Sequence, residues 1–234
     1  MNGRSSAPGS APEYDGIAPA TPARAPVPGR PDDRAGGSRW LTRLLVALWL
    51  AGGTAAVAAG WEYYRLPQAE RVYDAGHALY APTGLVGHSF GYAGTLMIVV
   101  GVSGYVARKR WRPLARMGRL SAWLQVHIFL CTFGPFLVVL HTGFRVGGLA
   151  AISFWAMVVT AGSGAFGRYV YVRIPRRADG VMHDAVDLPP REARFRRLFH
   201  YWHVLHVPVA AVMFAVLALH IAVAIALGYG WPSP

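Results

Sequence analysis

Four histidines carry the pattern with most chemical content. His127 and His141 share one long charge-free stretch, His206 and His220 share another, and each pair is separated by 14 residues. Neutral imidazole is polar and lipid offers it no hydrogen-bond partner, so such a side chain at membrane depth marks a functional site. At roughly 100° per residue, fourteen steps end about 40° short of four full turns, so both members of a pair face the same side of a helix. Along the axis they stand about 21 Å apart. A zinc-type centre draws its ligands together within a few ångströms, which this spacing disfavours. An iron porphyrin accepts an axial imidazole on each of its two faces, and two helices presenting matched histidines would hold two such planes, one above the other.

The elements that must position these residues are membrane spans. Charge-free stretches run from Leu44 to Trp61, His88 to Ala107, Leu120 to Phe144, Val146 to Gly167 and Leu198 to Tyr229. Each reaches the roughly 20 residues needed to cross a bilayer. Trp40, Trp61, Trp111, Tyr169, Tyr171, Tyr229 and Trp231 fall at their ends, where amphipathic rings prefer the interface. Of the 23 Lys and Arg, only Arg65, Arg71 and Arg145 lie in the alternate set of loops. The others flank the first span or fill the segments Arg108 to Arg119 and Arg168 to Arg197. The positive-inside rule then sets the amino terminus inside and the carboxy terminus outside. The third and fifth spans both leave the inner face, so they are parallel. His127 and His206 therefore share an inner depth, and His141 and His220 an outer one.

Composition agrees with this reading. The chain is 54% hydrophobic and 15% charged, with mean hydropathy +0.31, which does not suit a soluble fold of 234 residues. Its net charge of +12 is an orientation signal and a lipid-facing one rather than a nucleic-acid footprint. The single cysteine, Cys131, excludes an intrachain disulfide, a four-thiolate zinc site, an iron–sulfur cluster and covalent haem attachment. Residues 1–38 contain 7 Pro, 6 Gly, 7 Ala and 4 Ser without apolar periodicity. They are expected to form a disordered cytoplasmic tail ahead of a membrane domain at 39–234.

Other residues are candidates for supporting roles. Haem propionates are anionic and want arginine near the bilayer surfaces. Arg145 suits the outer site, and Arg168 and Arg173 the inner one. His88 and His203 are candidate quinone or propionate contacts; His77 and His183 fall in loops. Pro135 and Pro208 each remove a backbone donor within a histidine-bearing span and are expected to bend it.

The runs GLVGHSFGYAGTLMIVVGVSGYVARKR, GRLSAWLQVHIFLCTFGPFLVVLHTGFRVGG, FGRYVYVRIPR and FHYWHVLHVPVAAVMFAVLALHIAVAIALGYGW resemble small bacterial di-haem b-type cytochromes. Those belong to the superfamily that shares the transmembrane domain of ferric reductases and NADPH oxidases. The likeness spans roughly residues 84 to 231. It implies two non-covalent b-type haems ligated by His127, His141, His206 and His220, in a bacterial inner membrane. The large reductases continue into a flavin and nicotinamide domain, whereas no Gly-rich phosphate turn follows a strand here, so any dehydrogenase is expected on another polypeptide.

The expectation is an all-α, five-span membrane bundle conducting electrons between two haems, as the membrane subunit of an oxidoreductase system. Its candidate partners are lipid, quinone, a cytoplasmic flavoprotein or iron–sulfur dehydrogenase, and an outer-side cytochrome. Two alternatives stay open. One is a stand-alone quinone or metal reductase. The other is a non-haem scaffold or transporter that uses the histidines for hydrogen bonding or proton relay.

Overall fold

The structure is a computed structural model that describes residues 32–147, 150–174 and 189–230. All of these belong to the unit Pro31–Pro234. The expected tail up to residue 31 and His183 lie outside the described residues. Among the described residues every regular element is helical and no strand occurs.

The long helices are α1 (Asp32–Ala59), α4 (Leu85–Arg110), α6 (Leu120–His141), α7 (Ala150–Tyr171) and α8 (Pro190–Ala226). Short helices occupy the connections: α2 (Trp61–Tyr64), a 3₁₀ turn (Arg71–Tyr73) and α3 (His77–Tyr80) before α4, and α5 (Arg112–Ala115) after it. Pro113 explains where α4 stops, because its ring cannot donate an N–H and would clash with the preceding turn. Accordingly Trp111 is extended at φ −99°, ψ 117°. Pro190 fills the first position of α8, where the missing donor costs nothing. The 37 residues of α8 extend about 55 Å, so its Arg-rich first turns project beyond a hydrocarbon core of about 30 Å.

Two antiparallel pairs build the bundle. In the first, α4 crosses α6 so closely that a Cβ at Gly94 would stand 2.6 Å from the Gly134 carbonyl oxygen, and one at Gly134 2.7 Å from that of Gly94. Only glycine permits this approach at both positions. α1 backs α6, with Gly52 under the Phe133 ring and Gly53 beside Phe136. In the second pair, α7 packs on α8, where the Ser153 hydroxyl donates to Val216 O at 3.3 Å and Trp202 Nε1 to Ser163 O at 2.6 Å. A buried cluster of Ile98, Met157 and Met213, joined by Val138, Phe154 and Phe214, ties α4, α7 and α8 together in mid-bundle.

Four helical segments are long and apolar enough to cross a membrane: Arg39–Ala59, His77–Arg110, Leu120–His141 and Pro190–Ala226. α7, the fourth of five expected spans, is not among them. At 22 residues it extends about 33 Å, which is sufficient length to cross a bilayer. Its Ser153 and Ser163 face inward, onto α8. Two other boundaries differ from expectation. α1 starts at Asp32, inside the segment read as tail, because propagating an existing helix backward is far easier than nucleating one. α6 ends at His141 rather than near Phe144, because Gly143 and Phe144 take left-handed conformations at φ 57° and 64°.

Candidate functional site

α6 and α8 bring their histidines together at two levels. His127 and His206 lie within electrostatic range of each other, as do His141 and His220. The 127-to-141 and 206-to-220 directions therefore coincide, so the two helices are parallel. Met213 stands seven residues from both His206 and His220 and is buried in the mid-bundle cluster, an apolar layer between the two levels.

Three of the four imidazoles are oriented by one nitrogen. His127 Nδ1 donates to the Gly101 carbonyl at 2.9 Å and His141 Nδ1 to the Gly87 carbonyl at 2.9 Å, both on α4. A carbonyl can only accept, so it fixes the Nδ1–H tautomer and leaves the Nε2 lone pair free. His206 Nδ1 lies 2.6 Å from Ser163 Oγ, whose hydroxyl donates 2.8 Å away to Thr160 O and so accepts from the ring. Trp202 stacks on His206 with ring centroids 4.9 Å apart and 29° between planes. Trp202 in turn rests on Gly167, where a Cβ would overlap its ring. Among the described residues no group hydrogen-bonds Nε2 of His127, His141 or His206, or either nitrogen of His220.

The His141–His220 pair opens onto a cavity of about 270 Å³, near the lower end of the range for small-molecule sites, partly open at its mouth. His141, His220, His88 and Arg145 line it, with an apolar wall that includes Val138, Met213 and Leu217. Gly91 makes room for the His141 ring, since a Cβ there would come within 2.9 Å of it. His88 donates from Nδ1 to Pro82 O at 3.2 Å, and its ring stands 6.0 Å from that of His141. Its Nε2 is buried without a hydrogen-bond partner. The donor set fits an axially ligated planar metallocycle: paired imidazoles on facing helices, one nitrogen hydrogen-bonded in three of the four rings, and apolar walls. Among the described residues no cluster of three or more His, Cys, Asp or Glu converges as a conventional metal site would.

The remaining candidates fall elsewhere. Arg168 stacks over Tyr171 at 5.8 Å, and Arg173 over Tyr169 at 3.4 Å while donating to Tyr169 O at 2.9 Å. Both are exposed, Arg168 in the last turn of α7 and Arg173 just beyond it. His203 is exposed, although it acts electrostatically on His206. His77 Nδ1 lies 3.2 Å from the Tyr63 hydroxyl, in the segment between α1 and α4. Sequence reasoning missed Ser163 and the Gly87 and Gly101 carbonyls. Ser163 offered only the weak signal of a hydroxyl within a Gly-Ser-Gly run.

The segment between α1 and α4 packs against the end of α6. Tyr63 and Tyr64 are 3% and 8% exposed, and the Tyr64 hydroxyl donates to Leu140 O at 3.4 Å. Gln68 Nε2 donates to Phe144 O at 3.3 Å, and the Tyr80 hydroxyl to Ala59 O at 2.6 Å. No family model, curated protein or solved structure matches the chain.

Proposed function

We propose that this chain is a five-span di-haem b-type cytochrome that conducts electrons across a bacterial inner membrane. The observation that carries the reading is the pairing of His127 with His206 and His141 with His220 across two parallel helices. In three of the four rings Nδ1 is hydrogen-bonded, which directs Nε2 toward a ligand. Bound haem supplies one-electron redox chemistry at each level. The chain's own contribution is to orient the imidazoles, to exclude water with the Ile98, Met157 and Met213 layer, and to hold the two levels about 21 Å apart along the helices. Arg145, at the mouth of the outer cavity, is suited to a propionate.

The amino terminus is assigned to the cytoplasmic side, with the basic segments Arg108 to Arg119 and Arg168 to Arg197 facing a flavoprotein or iron–sulfur dehydrogenase. An outer-side cytochrome or quinone completes the chain of transfer. The test is the dithionite-reduced absorbance spectrum of the purified protein with haem extraction. Two b-type haems per chain are expected, and a colourless folded protein overturns the reading.

One observation favours a second reading, a self-contained quinone-linked reductase: the unpartnered Nε2 of His88 in the wall of the outer cavity. Turnover with quinol and no protein partner separates the two.

A further inference from the structure

The two histidine levels hold their rings differently. His127 has two supports: its Nδ1 donates to Gly101 O at 2.9 Å, and Tyr105 stacks on the ring face with centroids 5.1 Å apart and 30° between planes. His206 has the same two: its Nδ1 lies 2.6 Å from Ser163 Oγ, and Trp202 stacks on it at 4.9 Å and 29°. An N–H bond acts in the plane of an imidazole, so by itself it leaves the ring free to swing about the line of that bond. A second ring laid on the face opposes the swing.

The stacked rings are themselves held. Lys109 Nζ stands 4.7 Å over Tyr105, from one turn further along α4. Trp202 Nε1 donates to Ser163 O at 2.6 Å, and Phe199 backs the indole at 5.1 Å with 34° between planes. A Cβ at Gly167 would overlap the indole, so the ring reaches this place because that position carries no side chain.

The other level occupies equivalent positions without the rings. On α4 the carbonyl acceptors Gly101 and Gly87 are 14 residues apart, as His127 and His141 are on α6. Four residues after Gly101 stands Tyr105; four after Gly87 stands Gly91. On α8 Trp202 precedes His206 by four residues, and Val216 precedes His220 by four. The ring beside His141 is His88, edge-on at 6.0 Å and 72°. Among the described residues His220 makes neither a hydrogen bond nor a ring contact, and it lines the cavity.

We propose that Tyr105 and Trp202 are positioning residues that fix the ring planes of His127 and His206, making that level a rigid ligand pair and leaving His220 the least restrained of the four histidines. This rests on the di-haem reading. Ligands locked by packing and by supporting hydrogen bonds are set in place before the group they hold arrives, and they move little when its charge changes. The His127–His206 level is thereby built for repeated electron passage with little rearrangement of its own side chains.

The test is electron paramagnetic resonance of the oxidised full-length protein in detergent, with haem counted by extraction. The relative planes of two axial imidazoles set the g-anisotropy of a low-spin ferric haem, which a general packing defect does not move while both ligands stay bound. The component lost in His206→Ala identifies the His127–His206 level. Trp202→Leu and Tyr105→Leu are expected to keep two haems, to shift or broaden that component alone, and to release its haem about two- to tenfold faster. Trp202→Phe and Tyr105→Phe retain a face to stack and are expected to leave the g-values in place. Should a leucine variant lose its haem or not fold, Gly167→Ala displaces Trp202 while keeping every ring, and the same shift is expected. Two haems with unmoved g-values in the leucine variants or in Gly167→Ala overturn this proposal alone. So do phenylalanine variants shifted as far as the leucine ones, and a shift confined to the component lost in His220→Ala. Absence of haem from the unmodified chain overturns the di-haem reading as well.

Discussion

Gly91 of α4 lies directly against the imidazole of His141 on α6: a Cβ at Gly91 would stand 2.9 Å from both Cγ and Nδ1 of that ring. Replacing Gly91 with valine must therefore displace the ring, and with it the 2.9 Å bond from His141 Nδ1 to Gly87 O. Overpacking of this kind typically costs about 1–3 kcal/mol. Gly91→Val is expected to lower haem content toward one per chain and to reduce the melting temperature in detergent. Gly162→Ala, on the same kind of apolar helix but with nothing within 4 Å of the new Cβ, should leave both quantities unchanged or slightly raised. Equal behaviour of the two variants would count against His141 as a tightly seated ligand.

The two levels should also separate by ligand replacement. His220→Ala is expected to remove the outer haem and spare the inner, and His206→Ala the reverse, because each pair is assembled from its own turns of α6 and α8. The measurement is haem stoichiometry together with the number of components in a redox titration. Loss of both haems from either variant, with helical content retained, contradicts independent sites.

What the sequence disclosed about this site was periodic. Fourteen-residue spacing set the shared face, and the arginine distribution set parallel directions; the pairing of His127 with His206 and of His141 with His220 follows from those two facts. The orienting groups were hidden because backbone carbonyls leave no mark in a sequence: Gly87 and Gly101 read simply as small residues permitting close approach. Arg71 was hidden for a different reason. A charge count treats every loop arginine alike, and only the left-handed turn at Gly143 and Phe144 shows why one of them is buried.

Ser163 is the orienting group open to side-chain mutagenesis. Ser163→Ala deletes the oxygen 2.6 Å from His206 Nδ1 while leaving the Ser163 carbonyl that accepts from Trp202. Loss of such a supporting partner typically weakens a metal site about 10–100-fold. The inner haem is expected to dissociate more readily in Ser163→Ala, measured by transfer to an excess of apo-acceptor protein, with the outer haem retained. Gly167→Ala should weaken the same site indirectly, by pushing Trp202 off the His206 ring. If only the outer haem responds, the assignment of Ser163 to the inner level is wrong.

The outer loop makes a pH-dependent prediction. Burial pushes the Tyr64 phenol up to about 12; the neighbouring phenols of Tyr63 and Tyr80 act in the same direction, and Arg71 opposes them. Burial also raises Tyr63, again against Arg71. The unfolded phenol titrates near 10, so the folded state holds its proton more tightly than the unfolded one. The stabilisation is therefore complete below about pH 10 and declines as pH rises through about 12. Phenolate absorbance of the folded protein should show a component titrating near 12 that Tyr64→Phe removes, with a melting temperature that falls over the same interval. Because the Tyr64 hydroxyl donates to Leu140 O beside His141, the outer haem spectrum should change in that interval while the inner one does not. A Tyr64 component near 10, or an alkaline transition confined to the inner haem, would mean that the loop is not seated on α6 as the Tyr64, Gln68 and Arg71 contacts require.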